Sequence, residues 1–157
     1  MTEPALATIL LVEDTPSDAT LIRRAFEKTH VLNPIIWTRN GQEALGYLSG
    51  LGQYSDRTRY QLPALILLDL DLPEMIGFEL LQWKRTQPYI RRIPVVVLTI
   101  DSATSAVNSA YDLGANSYLI KPGNPDEIMR VVKTIQEYWL GLNQPPKLVL
   151  RATPDAR

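Results

Sequence analysis

Ala64-Leu65-Ile66-Leu67-Leu68-Asp69-Leu70-Asp71-Leu72-Pro73-Glu74 is the stretch whose reading decides the fold. Five apolar residues run without interruption into Asp69, and Pro63 and Pro73 bound the segment. A short unbroken apolar run of this kind predicts a strand buried on both faces, as in a parallel sheet covered by helices. The C-terminal edge of such a sheet is where open α/β folds place their ligands. An aspartate at that edge is held by a rigid element, with its carboxylate at a crevice.

Working outward, four further runs read as strands: Ala7–Val12, Pro34–Thr38, Pro94–Thr99 and Asn116–Ile120. Like Ala64–Asp69, most are β-branched or leucine-rich without alternation. Helix candidates follow each strand, and their starts carry capping chemistry. Thr15-Pro16-Ser17-Asp18 sets a capping hydroxyl before a first-turn proline and an acid. Asn40-Gly41-Gln42-Glu43 resembles a capping box, and Asn124-Pro125-Asp126-Glu127 repeats the cap-then-proline signal. Asp101 or Ser102 is expected to cap a fourth helix that ends near Gly114, and the third helix, over about 77–87, has the weakest start.

Alternating strands and helices with short connections predict an α/β fold: a doubly wound, five-stranded parallel sheet in the order 2-1-3-4-5 with helices on both faces. One domain is expected over residues 1–142, with an exposed insertion at about 49–63 and a tail at 143–157. The last helix carries Ile128, Val132, Ile135, Trp139 and Leu142 on one stripe, widened by Val131 and Tyr138 on one side and by Met129 and Leu140 on the other. That arc exceeds what a core needs. It predicts a homodimer face that includes Met129, Tyr138 and Leu140.

Composition narrows the function. The 157 residues carry a net charge of −1, which argues against electrostatic binding of nucleic acid or anionic membrane. There is no cysteine, which excludes disulfides, thiolate zinc sites and a thiol nucleophile. With no secretory leader and no membrane-spanning run visible, a cytoplasmic protein is expected.

On this layout Glu13 and Asp14 follow the first strand and Asp69 ends the third, its neighbour in the sheet. Three converging carboxylates demand a compensating charge, and an all-oxygen ligand set suits Mg²⁺. Thr99 closes the fourth strand and Lys121 follows the fifth, so a hydroxyl and an ammonium face the same pocket. Metal, hydroxyl and ammonium together suit the equatorial oxygens of a transferring phosphoryl group, with the aspartate as nucleophile forming an acyl phosphate.

Val12-Glu13-Asp14, Leu68-Asp69-Leu70-Asp71-Leu72-Pro73 with Gly77, Val97-Leu98-Thr99 and Lys121-Pro122 occur in this order over about residues 7–140. In them the chain resembles the receiver domains of two-component response regulators, whose sheet is flavodoxin-like. The resemblance implies that Asp69 is the phosphoacceptor and that Glu13, Asp14 and Asp69 hold Mg²⁺ with the backbone carbonyl of Asp71. It also implies that Thr99 is the switch hydroxyl, Lys121 the phosphate-binding lysine and Tyr118 the aromatic switch, with a cis Lys121–Pro122 bond. Asn40–Leu45, the insertion around Tyr54, Arg92–Thr99 and Tyr138-Trp139 are similar to single-domain receivers that partner cyanobacterial phytochrome histidine kinases. This implies a non-enzymatic phosphoacceptor that receives its phosphoryl group from a sensor kinase and acts by protein contacts.

Departures from the family pattern are Ile100 beside Thr99, Ile76 before the glycine, and Asp71 where asparagine is frequent. Ile100 is expected to restrict access to Asp69. Two rival readings remain at this point: a receiver-like interaction module that is never phosphorylated, favoured by Ile100, and a haloacid-dehalogenase-type phosphatase using the Asp69-Leu70-Asp71 pair. The second places its motif on the first strand, not the third.

Overall fold

The computed structural model describes residues 6–72 and 77–148. Five parallel strands, β1 Thr8–Val12, β2 Ile35–Thr38, β3 Pro63–Leu68, β4 Val95–Thr99 and β5 Ser117–Ile120, form one sheet in the order β2-β1-β3-β4-β5. The helices α1 Pro16–Lys28, α2 Gly41–Ser49, α3 Gly77–Arg85 and α4 Thr104–Asp112 fill the crossovers, and α5 Pro125–Glu137 follows β5. Each expected strand lies within a residue or so of its sequence reading, and in the sheet Val12 pairs with Leu68.

The unbroken apolar runs are explained by two cores, one on each face. Leu10, Val12, Ile66, Leu68, Val95 and Val97 point to one side, where α2 and α3 bring Ala44, Tyr47, Leu48, Leu80 and Leu81. Ile9, Leu11, Leu65, Leu67, Val96 and Leu98 point to the other, against Ala19, Ile22 and Phe26 of α1 and Ile128, Val132 and Ile135 of α5. With both faces covered, the central residues of β1, β3 and β4 are apolar on both sides, so the period-two alternation of a half-exposed sheet is absent there.

Two of the expected caps form. Asn40 accepts the Glu43 N–H at 2.7 Å, and the Glu43 carboxylate reaches back to the Arg39 N–H at 3.2 Å. Asn124 accepts the Glu127 N–H at 2.9 Å. Thr15 does occupy the N-cap of α1, but its hydroxyl makes no capping bond and instead lies 3.5 Å from Asp14 Oδ1. The N-cap of α4 is Ala103, not Asp101 or Ser102. Asp101 is spent one step earlier, accepting the Ala103 N–H at 2.9 Å in a turn that precedes the helix.

Other departures have packing reasons. The insertion is anchored as well as exposed: the rings of Tyr47, Tyr54 and Tyr60 meet edge to face at 5.0, 5.2 and 6.2 Å. Arg57 ties it down by donating to Leu48 O at 2.7 Å and Tyr60 O at 2.9 Å. At the start of the expected tail Leu148 packs against the core, while the exposed Pro145 and Pro146 line a small depression with Leu62, Ala64 and Ile93. Leu142 is 75% exposed and leaves the core stripe. Residues Tyr138–Leu142 wind as a π-turn, closed by the Asn143 N–H on Tyr138 O, and the extra residue per turn rotates the helical phase. The Lys121–Pro122 bond is trans, the intrinsically favoured isomer; no peptide bond among the described residues is cis. Pro73 and Ile76 lie outside the described residues, as do residues 149–157.

Candidate functional site

The strands β1, β3, β4 and β5 all deliver polar groups to the same edge of the sheet. Glu13 and Asp14 follow β1, Asp69 follows β3, Thr99 is the last residue of β4 and Lys121 is the first after β5. The strands β1, β3 and β4 are buried and β5 is hydrogen-bonded along β4, so these side chains emerge at fixed heights. Backbone bonds hold the exits in place: the Asp69 N–H donates to Val12 O at 3.0 Å and the Lys121 N–H to Thr99 O at 2.7 Å.

The Asp69 carboxylate is the hub. Oδ1 accepts the Thr99 hydroxyl at 2.9 Å and the Asp71 N–H at 3.1 Å. Oδ2 lies 3.2 Å from Lys121 Nζ. Lys121 also meets Glu13 Oε1 at 2.7 Å and Asp18 Oδ2 at 3.1 Å, while Glu13 Oε2 accepts the Thr15 N–H at 3.2 Å. Glu13, Asp69 and Thr99 are buried, whereas Asp14 opens to solvent.

Burial is the largest influence on Glu13 and pushes its carboxyl up to about 7; the Asp69 charge adds to the rise, and the Lys121 ammonium and the Thr15 N–H oppose it. Burial acts to lower Lys121, yet the carboxylates of Glu13, Asp69 and Asp18 outweigh it and hold the ammonium above its ordinary range. The site is therefore short of positive charge, with one lysine shared among three acids.

Oxygen atoms of Glu13, Asp14 and Asp69 all lie within 4.8 Å of one another. Octahedral bonds of about 2.1 Å place ligand oxygens about 3–4 Å apart, so a small inward adjustment around a hard divalent cation brings the three into range. Asp71 itself is exposed and contributes its backbone here, through the N–H on Asp69.

The remaining candidates sit at the rim. Tyr118 is half-buried on β5, and its hydroxyl donates to Asp101 O in the loop after β4 at 2.7 Å. Partial burial, with the charges of Asp101 and Asp69, raises its phenol above the ordinary value. Ile100 is 70% exposed and borders two depressions. One, of about 720 Å³, runs over Leu70, Asp71, Phe78 and Thr99; the other, of about 210 Å³, holds Asp18, Lys121 and Pro122. Along α5 and the π-turn after it, Tyr138 is exposed while Met129 and Leu140 are half-buried against the core, so the three are not equally presented to a partner.

Sequence reading missed Asp18, treating it only as a first-turn acid. It is the third residue of α1, in the first turn above the strand ends, and no local pattern joins it to Lys121.

Comparison with known proteins gives a consistent answer. Residues 9–133 match the family model for the response regulator receiver domain. The chain is 44% identical over 138 residues to the probable methanogenesis regulatory protein FilR2 of Methanothrix harundinacea, covering 88% of this chain and 86% of that one. It is 37% identical over 132 residues to response regulator Rcp1 of Synechocystis sp., covering 84% and 88%. The Mn²⁺-bound form of Rcp1 superposes with a TM-score of 0.82 at 35% identity, covering 90% of this chain and 99% of that one. The phosphorylated cyanobacterial phytochrome response regulator RcpA superposes with a TM-score of 0.85 at 37% identity, covering 91% and 100%. A family match over most of the chain, with these relatives aligned nearly end to end, makes this protein a member of the response regulator receiver domain family.

Proposed function

We propose that Asp69 accepts a phosphoryl group from the phosphohistidine of a sensor histidine kinase, of phytochrome type, and that the protein passes the signal on by protein contacts. The observation that carries this reading is the Asp69 carboxylate with Thr99 on one oxygen and Lys121 on the other, beside Glu13 and Asp14. A carboxylate oxygen attacks phosphorus as the histidine N–P bond breaks. The electron pair leaves with the imidazole nitrogen, which takes up a proton from solvent. Lys121 neutralises phosphoryl oxygens, and Thr99 donates to them or to the acyl oxygen.

Glu13, Asp14 and Asp69, with the Asp71 carbonyl, are the groups that would hold Mg²⁺. When bound, it offsets the charge of the acids and of the incoming phosphoryl oxygens. The receiver unit is taken as residues 1–142, with 143–157 as an appended tail, in a cytoplasmic setting. No helix among the described residues is long and apolar enough to cross a membrane. Thr99 and Tyr118 would carry the change in state to the β4–α4 loop, through the bond to Asp101 O. A second copy of the chain is proposed to cover the α5 face at Met129, Tyr138 and Leu140. Sedimentation as a monomer at tens of micromolar, with and without phosphorylation, would remove that part of the reading.

The direct test is incubation with acetyl phosphate and Mg²⁺, followed by intact-mass measurement. One added phosphoryl group is expected, lost when EDTA is present. No added mass under conditions that label another receiver domain would leave the interaction-module reading in its place.

A further inference from the structure

Trp37 lies on β2, outside the acid cluster, yet its indole N–H donates to the Glu13 main-chain carbonyl at 2.7 Å. The sheet explains why that carbonyl takes a side-chain donor. Along β1 the ladder runs from the Ile9 N–H on Pro34 O to the Glu13 N–H on Thr38 O at 3.0 Å. One step further, a parallel ladder would offer Glu13 O the N–H of Asn40. Asn40 is instead the N-cap of α2, where the chain leaves the sheet. The indole N–H stands in for that main-chain donor. Its ring packs against the core shared with α1 and α5, and the Arg39 guanidinium lies over it, 4.7 Å from the centroid.

The carbonyl that Trp37 holds belongs to the peptide joining Glu13 to Asp14. That peptide is planar, so holding its oxygen restrains the torsion on each side, ψ of Glu13 and φ of Asp14. Both acids take their direction from it. The Thr15 N–H on Glu13 Oε2 at 3.2 Å holds the Glu13 side chain alone. Resting on the reading of Glu13 and Asp14 as holders of the divalent cation, we infer that Trp37 is a positioning residue for that cation, its N–H orienting the peptide from which the two acids diverge. An indole N–H is a donor only, so Trp37 is not itself a ligand. A peptide without this bond must be ordered when the cation binds, and the affinity falls by that cost.

The test titrates Mn²⁺ into the whole chain and reads the free ion by its electron paramagnetic resonance signal. Trp37→Phe keeps a ring against the core and removes the donor. It is expected to bind Mn²⁺ about two- to tenfold more weakly, the range set by one hydrogen bond. Trp83→Phe trims a half-buried indole on the opposite face of the sheet and should leave the affinity unchanged. Unchanged or tighter binding by Trp37→Phe overturns the inference, as does an equal loss in Trp83→Phe, which would mark a general loosening. If Trp37→Phe does not fold, the benzothienyl analogue of tryptophan at that position, with sulfur in place of the N–H, replaces it. Weaker binding by that protein supports the inference, and wild-type affinity overturns it. Failure of wild type itself to bind Mn²⁺ overturns the inference together with the metal reading, and is told apart by the wild-type titration alone.

Discussion

Lys84 offers a quantitative test of the packing on the α3 face. It is 5% exposed, and its Nζ donates to Arg91 O at 3.0 Å, its one hydrogen bond among the described residues. Burial lowers its ammonium from the ordinary 10.5 to about 8. At 1.36 kcal/mol per unit, holding the charge inside costs about 3 kcal/mol when both states are protonated; structural relaxation trims that to about 1–3 kcal/mol. Below pH 8 the folded and unfolded chains both carry the proton and the penalty is full. Between pH 8 and 10.5 the unfolded chain binds more protons than the folded one, so this residue's contribution rises with pH. Lys84→Met keeps the length and apolar stem and drops the charge. It should therefore be more stable than wild type at pH 7, by about 1–3 kcal/mol, and the advantage should shrink steadily towards pH 10. Urea unfolding of both proteins at pH 7, 8, 9 and 10 measures the difference and cancels the titration of other groups. A difference that stays constant with pH, or a variant less stable at pH 7, would refute the argument from burial.

Other outcomes follow from the site. Thr99→Ala removes the hydroxyl on Asp69 Oδ1 and should slow labelling by acetyl phosphate at least about tenfold while the fold survives. Ile100→Ala clears an exposed side chain from the rim; both gain and loss of the label should accelerate, with stability unchanged within about 0.5 kcal/mol in a urea melt. At Gly77 an added methyl would meet Leu70 Cα at 2.7 Å and Asp69 O at 3.0 Å. Gly77→Ala should cost about 1–3 kcal/mol of stability by denaturant titration, and displace the loop that aims Asp69.

What the sequence discloses depends on how far a residue's partners lie along the chain. The strands were legible because burial on both faces forces continuous apolar runs, as in Leu65–Leu68. The Asn40 and Asn124 caps were legible because their partners sit three residues away. Glu13, Asp14 and Asp69 were legible because strand ends in such a sheet share one edge. The Asp18 ion pair was not, because Lys121 lies 103 residues distant and a first-turn acid already had a local explanation. Leu142 was misplaced because a 3.6-residue period was carried through a π-turn that the apolar pattern does not encode. The anchoring of the insertion depended on Tyr54 and Tyr60 finding Tyr47, a contact among three rings that no linear period marks.

Asp69 as the carrier of the phosphoryl group can be tested directly. Borohydride reduction after acetyl phosphate treatment converts an aspartyl phosphate to homoserine, and peptide mapping locates it. The account predicts conversion at Asp69, lost in Asp69→Asn; conversion at Asp14 or Asp71 instead, or none in the wild type, would contradict it.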